Sequence, residues 1–322
     1  MQTSTTAEMS QFAEDVLKGL SASPKYLSSR YFYDDEGSRL FQAIMDLPEY
    51  YLTRAEMRVF EMQGDSICDV IADGHDSIDI VELGAGDGSK TAVLIDRLLR
   101  LGIGITYSPI DISQGANDEL ATRFAARFPT LDIKPHTGDY FRVLEGLRSG
   151  SGRRKVILFL GSNIGNFGSS QALAFFRELR AAMEPSDMLL IGFDLQKDPR
   201  KIVAAYDDSA GVTARFNLNL LRRINRELGG DFDLAKFSHY AQYRPIECAA
   251  RSFLISRERQ TVEIAALGRK FEFDAWEAVF MEISQKYTRA MIADLASESG
   301  FKLGPEFLDE EDLFLDSVWL PN

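Results

Sequence analysis

Between Ser77 and Leu195 short apolar runs alternate with amphipathic stretches: SIDIVELG, SKTAVLIDRLLRLG, ITYSPIDI, GANDELATRFAARF, DIKPHTGDY, KVILFLGSNIGN, SQALAFFRELRAAM and DMLLIGFDL. Strands that are apolar at nearly every position are buried on both faces, and the helices of about ten to fifteen residues between them are the crossovers that parallel strands need. The pattern predicts an α/β fold built on a doubly wound parallel sheet. After Leu195 the rhythm stops. PRKIVAAYDDSAGVTARFNLNLLRRINRELGG reads as one long helical stretch, and strand-like runs follow at ARSFLISRE, QTVEIAALG and RKFEFD. This middle part is expected to be an insertion forming a second, mixed α+β domain. The chain closes with a helix, TRAMIADLASESG, stopped by Gly300, and a strand-rich tail, LFLDSVWL, that completes the sheet. At the other end, Phe12, Val16 and Leu20 give Ala7 to Leu20 the spacing of an amphipathic helix. The expected division is residues 65–195 plus 287–322 for the sheet domain and 1–64 plus 196–286 for the second.

Composition removes several classes of function. The chain has 322 residues with 45% hydrophobic side chains, enough for a sizeable core. Its net charge of −13 gives no general attraction to phosphate backbones or anionic lipid, so neither nucleic acid nor a membrane is an expected partner. Two cysteines, Cys68 and Cys248, with no CxxC spacing suggest neither a disulfide framework nor a structural zinc site. The N-terminal residues lack the apolar run of a signal peptide, and no stretch reaches the length of a membrane span. The expectation is a cytoplasmic monomer acting on a small molecule.

The candidate site begins at IDIVELGAGDGSKT, the first strand, turn and helix of the sheet. Glycines there let the backbone approach a ligand at an electropositive helix N-terminus, and a nucleoside cofactor suits that place. The order G-A-G-D-G is neither the GxGxxG of dinucleotide binders nor a P-loop. A tight turn with no ligand explains the glycines equally well on their own. Further acidic residues add to the reading. Asp111 closes the second strand, where a carboxylate can accept from two ribose hydroxyls. Asp139 closes the third, placed for an adenine amino group, with Tyr140 beside the ring. Each acid alone is an ordinary helix cap or surface charge; in succession at strand ends they point to a nucleoside. His75, His136 and His239 are scattered and form no HExxH or Ser/His/Asp pattern, so they are read as structural.

These residues resemble class I S-adenosylmethionine methyltransferases, whose first strand ends in E/D-x-G-x-G-x-G and whose sheet is Rossmann-like. More closely, the chain is similar to the histidine-specific Nα-methyltransferases of ergothioneine biosynthesis. The marks run in order through FYDDEGSRLF, LPEYYLTR, VELGAGDGSKT, FLGSNIGN, AYDDSAGVTARFNLNLL, INRELGGDFD and MEISQKY, nearly the whole chain.

The resemblance implies S-adenosylmethionine as cofactor, S-adenosylhomocysteine as product, and no metal. It implies cofactor contacts at Glu82, Gly84, Gly86, Lys90, Asp111, Asp139 and Tyr140. It places the substrate at Tyr50, Gly161, Asn166, Tyr206, Thr213, Ser252, Glu282 and Ser284, with Tyr33 beside the amine and Asn166 on the α-amino and carboxylate groups. Tyr206 would bond the carboxylate. Glu282 and Ser284 fall on one side of a strand, so a carboxylate and a hydroxyl can meet the two nitrogens of one imidazole. In the family's histidine enzymes a methionine lies against the ring where this chain has Ser252, which implies a more polar or roomier wall. The implied reaction is stepwise trimethylation of the L-histidine α-amine to hercynine. Two rivals stay open: the same chemistry on tryptophan or a modified histidine, and a nucleotide-binding regulatory protein without turnover.

Overall fold

Phe12, Val16 and Leu20 stand one helical turn apart, and all three are buried on α1 (Gln2–Ser21) in a computed structural model that describes residues 2–111, 114–138, 140, 143 and 152–322. Helix α2 (Asp35–Met45) starts at Asp34, whose carboxylate accepts from the Gly37 amide at 2.8 Å. Helix α3 (Leu52–Ala72) buries Val59, Phe60, Ile67, Cys68 and Ile71 in the core beneath the first strands. The chain divides into two units, residues 1–51 with 198–284 and residues 52–197 with 285–322. The division expected between residues 64 and 65 would cut α3 in half. Its apolar face instead assigns the whole helix to the sheet unit.

In that unit β1 (Ser77–Leu83), α4 (Ser89–Arg100), β2 (Gly104–Asp111), α5 (Gln114–Arg127), β3 (Asp132–Ile133), β4 (His136–Thr137), β5 (Arg154–Phe159), α6 (Ser169–Ala181) and β6 (Met188–Asp194) follow the expected alternation. DIKPHTGDY is two short strands rather than one; Pro135, between them, has no N–H to give a ladder. The long helical stretch consists of two helices, α7 (Pro199–Tyr206) and α8 (Val212–Leu228), both in the other unit. The break is chemical. The Asp208 carboxylate accepts from the Val212 amide at 2.8 Å and the Thr213 amide at 2.7 Å, starting a new helix.

The same unit continues through β7 (Phe237–Arg244), β8 (Ala249–Ser256), β9 (Gln260–Ile264), β10 (Arg269–Phe273) and β11 (Ala278–Gln285). They form a three-stranded sheet, β11-β8-β7, and the antiparallel pair β10-β9. β7 is absent from the sequence reading, because FSHYAQYR does not alternate cleanly between buried and exposed positions. The chain then returns to the sheet unit with α9 (Arg289–Glu298), β12 (Phe301–Leu308) and β13 (Phe314–Pro321). The large sheet has the order β12-β13-β6-β5-β1-β2-β3, with β4 also on β2. β13 runs antiparallel to both β6 and β12, and β6, β5, β1, β2 and β3 run parallel to one another. The tail LFLDSVWL thus completes the sheet as expected. The order reverses at β1, which puts the carboxyl ends of β1 and β2 at the place where open α/β sheets bind ligands.

Candidate active site

The turn after β1 leaves Gly84 with φ 72°, Gly86 with φ 54° and Gly88 with φ 61°. At Gly84 a Cβ would lie 2.9 Å from the Tyr140 hydroxyl and 3.0 Å from the Asn163 amide nitrogen, so glycine is needed for space as well as conformation. At Gly86 the same position is open. Its amide donates to Asp111 Oδ2 at 3.3 Å, and the Gly84 amide to the Ile110 carbonyl at 2.8 Å. Gly84, Gly86, Asp111 and Tyr140 therefore come together at one end of the sheet. Asp139 lies outside the described residues.

Glu82 occupies another position. It is buried, with one oxygen accepting from Thr91 Oγ1 at 2.7 Å and the other from the Tyr107 hydroxyl. Burial pushes its carboxyl up to about 7, against the opposing effect of those two hydrogen bonds. It braces the turn by tying β1 to α4 and β2. Lys90, on the first turn of α4, makes an ion pair with the buried Glu56 of α3. Burial alone would lower the Lys90 pKa; the Glu56 carboxylate reverses this and raises it.

The turn after β5 carries Gly161 and Asn166. The Gly161 amide donates to Glu56 Oε1 at 2.8 Å, and Ser162 Oγ accepts from the Asp194 amide at 3.1 Å. Ser162 has φ 55°, a left-handed conformation that costs a non-glycine residue energy and is held here by its surroundings. Asn166 stands exposed at the end of the turn.

In the other unit the tyrosines form a connected set. Tyr33 packs edge-on against Phe41 and Phe216, with ring centroids 5.4 Å and 5.5 Å apart. Phe41 lies 6.1 Å from Tyr50, and Tyr50 lies 6.5 Å from Tyr206. Tyr206 shares a 2.6 Å hydrogen bond between its hydroxyl and that of Ser284. Its carbonyl accepts from His239 Nε2 at 2.8 Å. Burial lowers the His239 pKa, which favours the neutral ring. Ser284 is buried on β11, and Glu282, two residues before it on the same face, is half-buried. Ser252 is buried on β8, opposite Ala241 of β7. Thr213 Oγ1 is buried beside the Asp208 carboxylate and has no hydrogen-bond partner of good geometry among the described residues, a polar atom suited to a ligand or a water.

Phe41, Phe216, Asp208 and Glu56 are not picked out from the sequence, and His239 is read there only as structural. Asp208 had a readable signal, an acid ahead of Gly211 and a helical run. A lone phenylalanine, glutamate or histidine gives none, since its meaning depends on distant neighbours.

An acidic glycine turn after the first strand, an acid closing the second, and a parallel sheet with one antiparallel strand next to its edge define the class I S-adenosylmethionine-dependent methyltransferase fold. The chain belongs to the histidine-specific, S-adenosylmethionine-dependent methyltransferase family, whose model matches residues 12–320. It is 38% identical over 288 residues to the histidine N-alpha-methyltransferase of Mycolicibacterium smegmatis, covering 89% of this chain and 88% of that protein. Ergothioneine biosynthesis protein 1 of Neurospora crassa is 34% identical over 211 residues, 64% of this chain and 23% of that one. The 4-dimethylallyltryptophan N-methyltransferase of Claviceps fusiformis is 28% identical over 206 residues, 60% of this chain and 56% of that one.

Proposed function

We propose that this methyltransferase transfers three methyl groups in succession to the α-amine of L-histidine, giving Nα,Nα,Nα-trimethylhistidine. The observation that carries the reading is the strand face bearing Glu282 and Ser284, with Ser284 bonded to Tyr206. A carboxylate accepts an imidazole N–H, and a hydroxyl donates to the other ring nitrogen. An indole offers one N–H and no second acceptor. The name of the Mycolicibacterium smegmatis relative supports the same substrate.

The cofactor, when bound, supplies a sulfonium methyl open to in-line attack. This chain's residues do the rest. The Gly84–Gly86 turn, Lys90, Asp111, Asp139 and Tyr140 would hold the nucleoside and the charged tail, with Glu82 acting by bracing the turn. Asn166 and Gly161 would orient the amino acid, and Tyr50 and Thr213 would fix its carboxylate end, while Tyr206 donates to Ser284 and so leaves the Ser284 proton for the ring. Tyr33, Phe41 and Phe216 present aromatic edges and faces near the amine. Such surfaces tolerate the permanent cation that forms without supplying a proton to the lone pair. Positioning and exclusion of water are what this displacement requires of a protein.

The same chemistry on a larger aromatic amino acid is a second reading, supported by the buried Ser252, if it lines the pocket as the resemblance implies, and by the tryptophan-derived substrate in the name of the Claviceps relative. A panel of amino acids incubated with the protein and S-adenosylmethionine, read by mass spectrometry, separates the two. Methylation of histidine above all others supports the first reading, and preference for tryptophan overturns it.

A further inference from the structure

Glu56 is fully buried on α3, yet it belongs to no motif of the family resemblance. Its carboxylate has two partners in different parts of the site. One is the Gly161 amide, 2.8 Å from Oε1, at the start of the turn that ends in Asn166. The other is the Lys90 ammonium on the first turn of α4. The sheet is shaped around this carboxylate. Gly192 in the middle of β6 lies beneath it, and a Cβ there would come 2.4 Å from Oε1. Asp316 of β13 pairs directly with Gly192 and is also fully buried. Burial and the nearby Glu56 push the Asp316 pKa well up.

Stability is a weak reason to keep such an arrangement. A buried ion pair replaced by well-packed apolar groups is often neutral or stabilising, because burying both charges costs about as much as their attraction returns. Geometry is the better reason. We propose that Glu56 is a positioning residue for methyl transfer, one carboxylate setting both the Gly161–Asn166 turn on the amino-acid side and Lys90 on the cofactor side. The proposal rests on the function proposed above. It makes the two halves of the site depend on a single side chain in separable ways.

The separation gives the test. Glu56→Gln keeps an oxygen for the Gly161 amide but removes the charge that faces Lys90. Glu56→Leu removes both. Gly192→Ala keeps the carboxylate but displaces it. Four quantities are measured: S-adenosylhomocysteine affinity by calorimetry without amino acid, KM and kcat for histidine, and hydrogen exchange of the peptide spanning residues 160–167 in the cofactor-free protein.

For Glu56→Gln the expected result is cofactor-product affinity about tenfold weaker, with the histidine KM within about twofold and exchange unchanged. For Glu56→Leu and Gly192→Ala both constants worsen by about tenfold and the peptide exchanges faster. If Glu56→Leu does not fold, the other two variants decide. Folded variants in which only the melting temperature moves would overturn the proposal, as would a Gln variant indistinguishable from Leu or Gly192→Ala in every readout. A wild-type protein that binds S-adenosylhomocysteine but leaves histidine unmethylated would refute the amino-acid reading instead. The affinity and exchange measurements would then still decide the part played by Glu56.

Discussion

In the proposed site Asp111 and Glu282 put the same functional group to different uses. Asp111 accepts from the Gly86 amide at 3.3 Å at the end of β2, and in the proposed site its carboxylate also takes ribose hydroxyls. Asp111→Ala should weaken S-adenosylhomocysteine binding by about 1–3 kcal/mol, the worth of a charge-assisted hydrogen bond. Calorimetry that finds the affinity unchanged in a folded variant removes Asp111 from the cofactor site. In the same proposal Glu282 acts on selectivity. Its loss leaves an imidazole N–H unpaired in a partly dry pocket, a cost of about 1–3 kcal/mol, while an indole loses less and gains room. The ratio of kcat/KM for histidine over tryptophan should fall by about 5- to 150-fold in Glu282→Ala. A constant ratio would move ring recognition elsewhere, first to the wall around Ser252.

At the scale of elements, the segment carrying Tyr33 is fixed by its neighbour. Asp34 caps α2 through the Gly37 amide and reaches α8, where Asn219 Nδ2 donates to it at 2.7 Å and Arg226 at 2.6 Å. Burial works to raise the Asp34 pKa, but these donors outweigh it and hold the carboxyl below its ordinary value. A depressed folded pKa contributes stability above the unfolded value of about 4. That contribution is lost as pH falls through the lower folded value. Asp34→Ala should therefore lower stability by about 1–2 kcal/mol near neutral pH, and the gap to wild type should close on acidification below about pH 4. Denaturant unfolding at several pH values checks this, and a gap that stays constant would mean that the charge of Asp34 is not what is lost.

What could be read in advance follows from whether an element states its own purpose. Strands buried on both faces, such as VILF in β5, and the turn of Gly84 are legible because period and glycine conformation are local properties. The break between α7 and α8 lies in a single capping carboxylate, and β7 hides because its burial lacks alternation. The resemblance makes Glu82 a cofactor ligand, and only the partners Thr91 and Tyr107, brought from α4 and β2, show both its oxygens engaged. Phe41 and Phe216 acquire meaning only where Tyr33 meets them.

For the whole molecule the reaction sets the pH dependence. The attacking nitrogen must be unprotonated, so kcat/KM for histidine should rise from about pH 6 toward about pH 9 as the ammonium is lost. A profile that falls over that range would point to a required acid that this account does not contain. The aromatic set of Tyr33, Phe41 and Phe216 also fits a product that ends as a fixed cation, since it adds no charge that would repel the methylated amine.

The most direct measurement is tandem mass spectrometry of the product formed from L-histidine and excess S-adenosylmethionine, locating each methyl group. The account predicts mono- and dimethylated intermediates that give way to a trimethylated product with all three groups on the α-nitrogen and the imidazole unmodified. Methyl groups on the ring, or an unmodified histidine where another amino acid is converted under the same conditions, would contradict it.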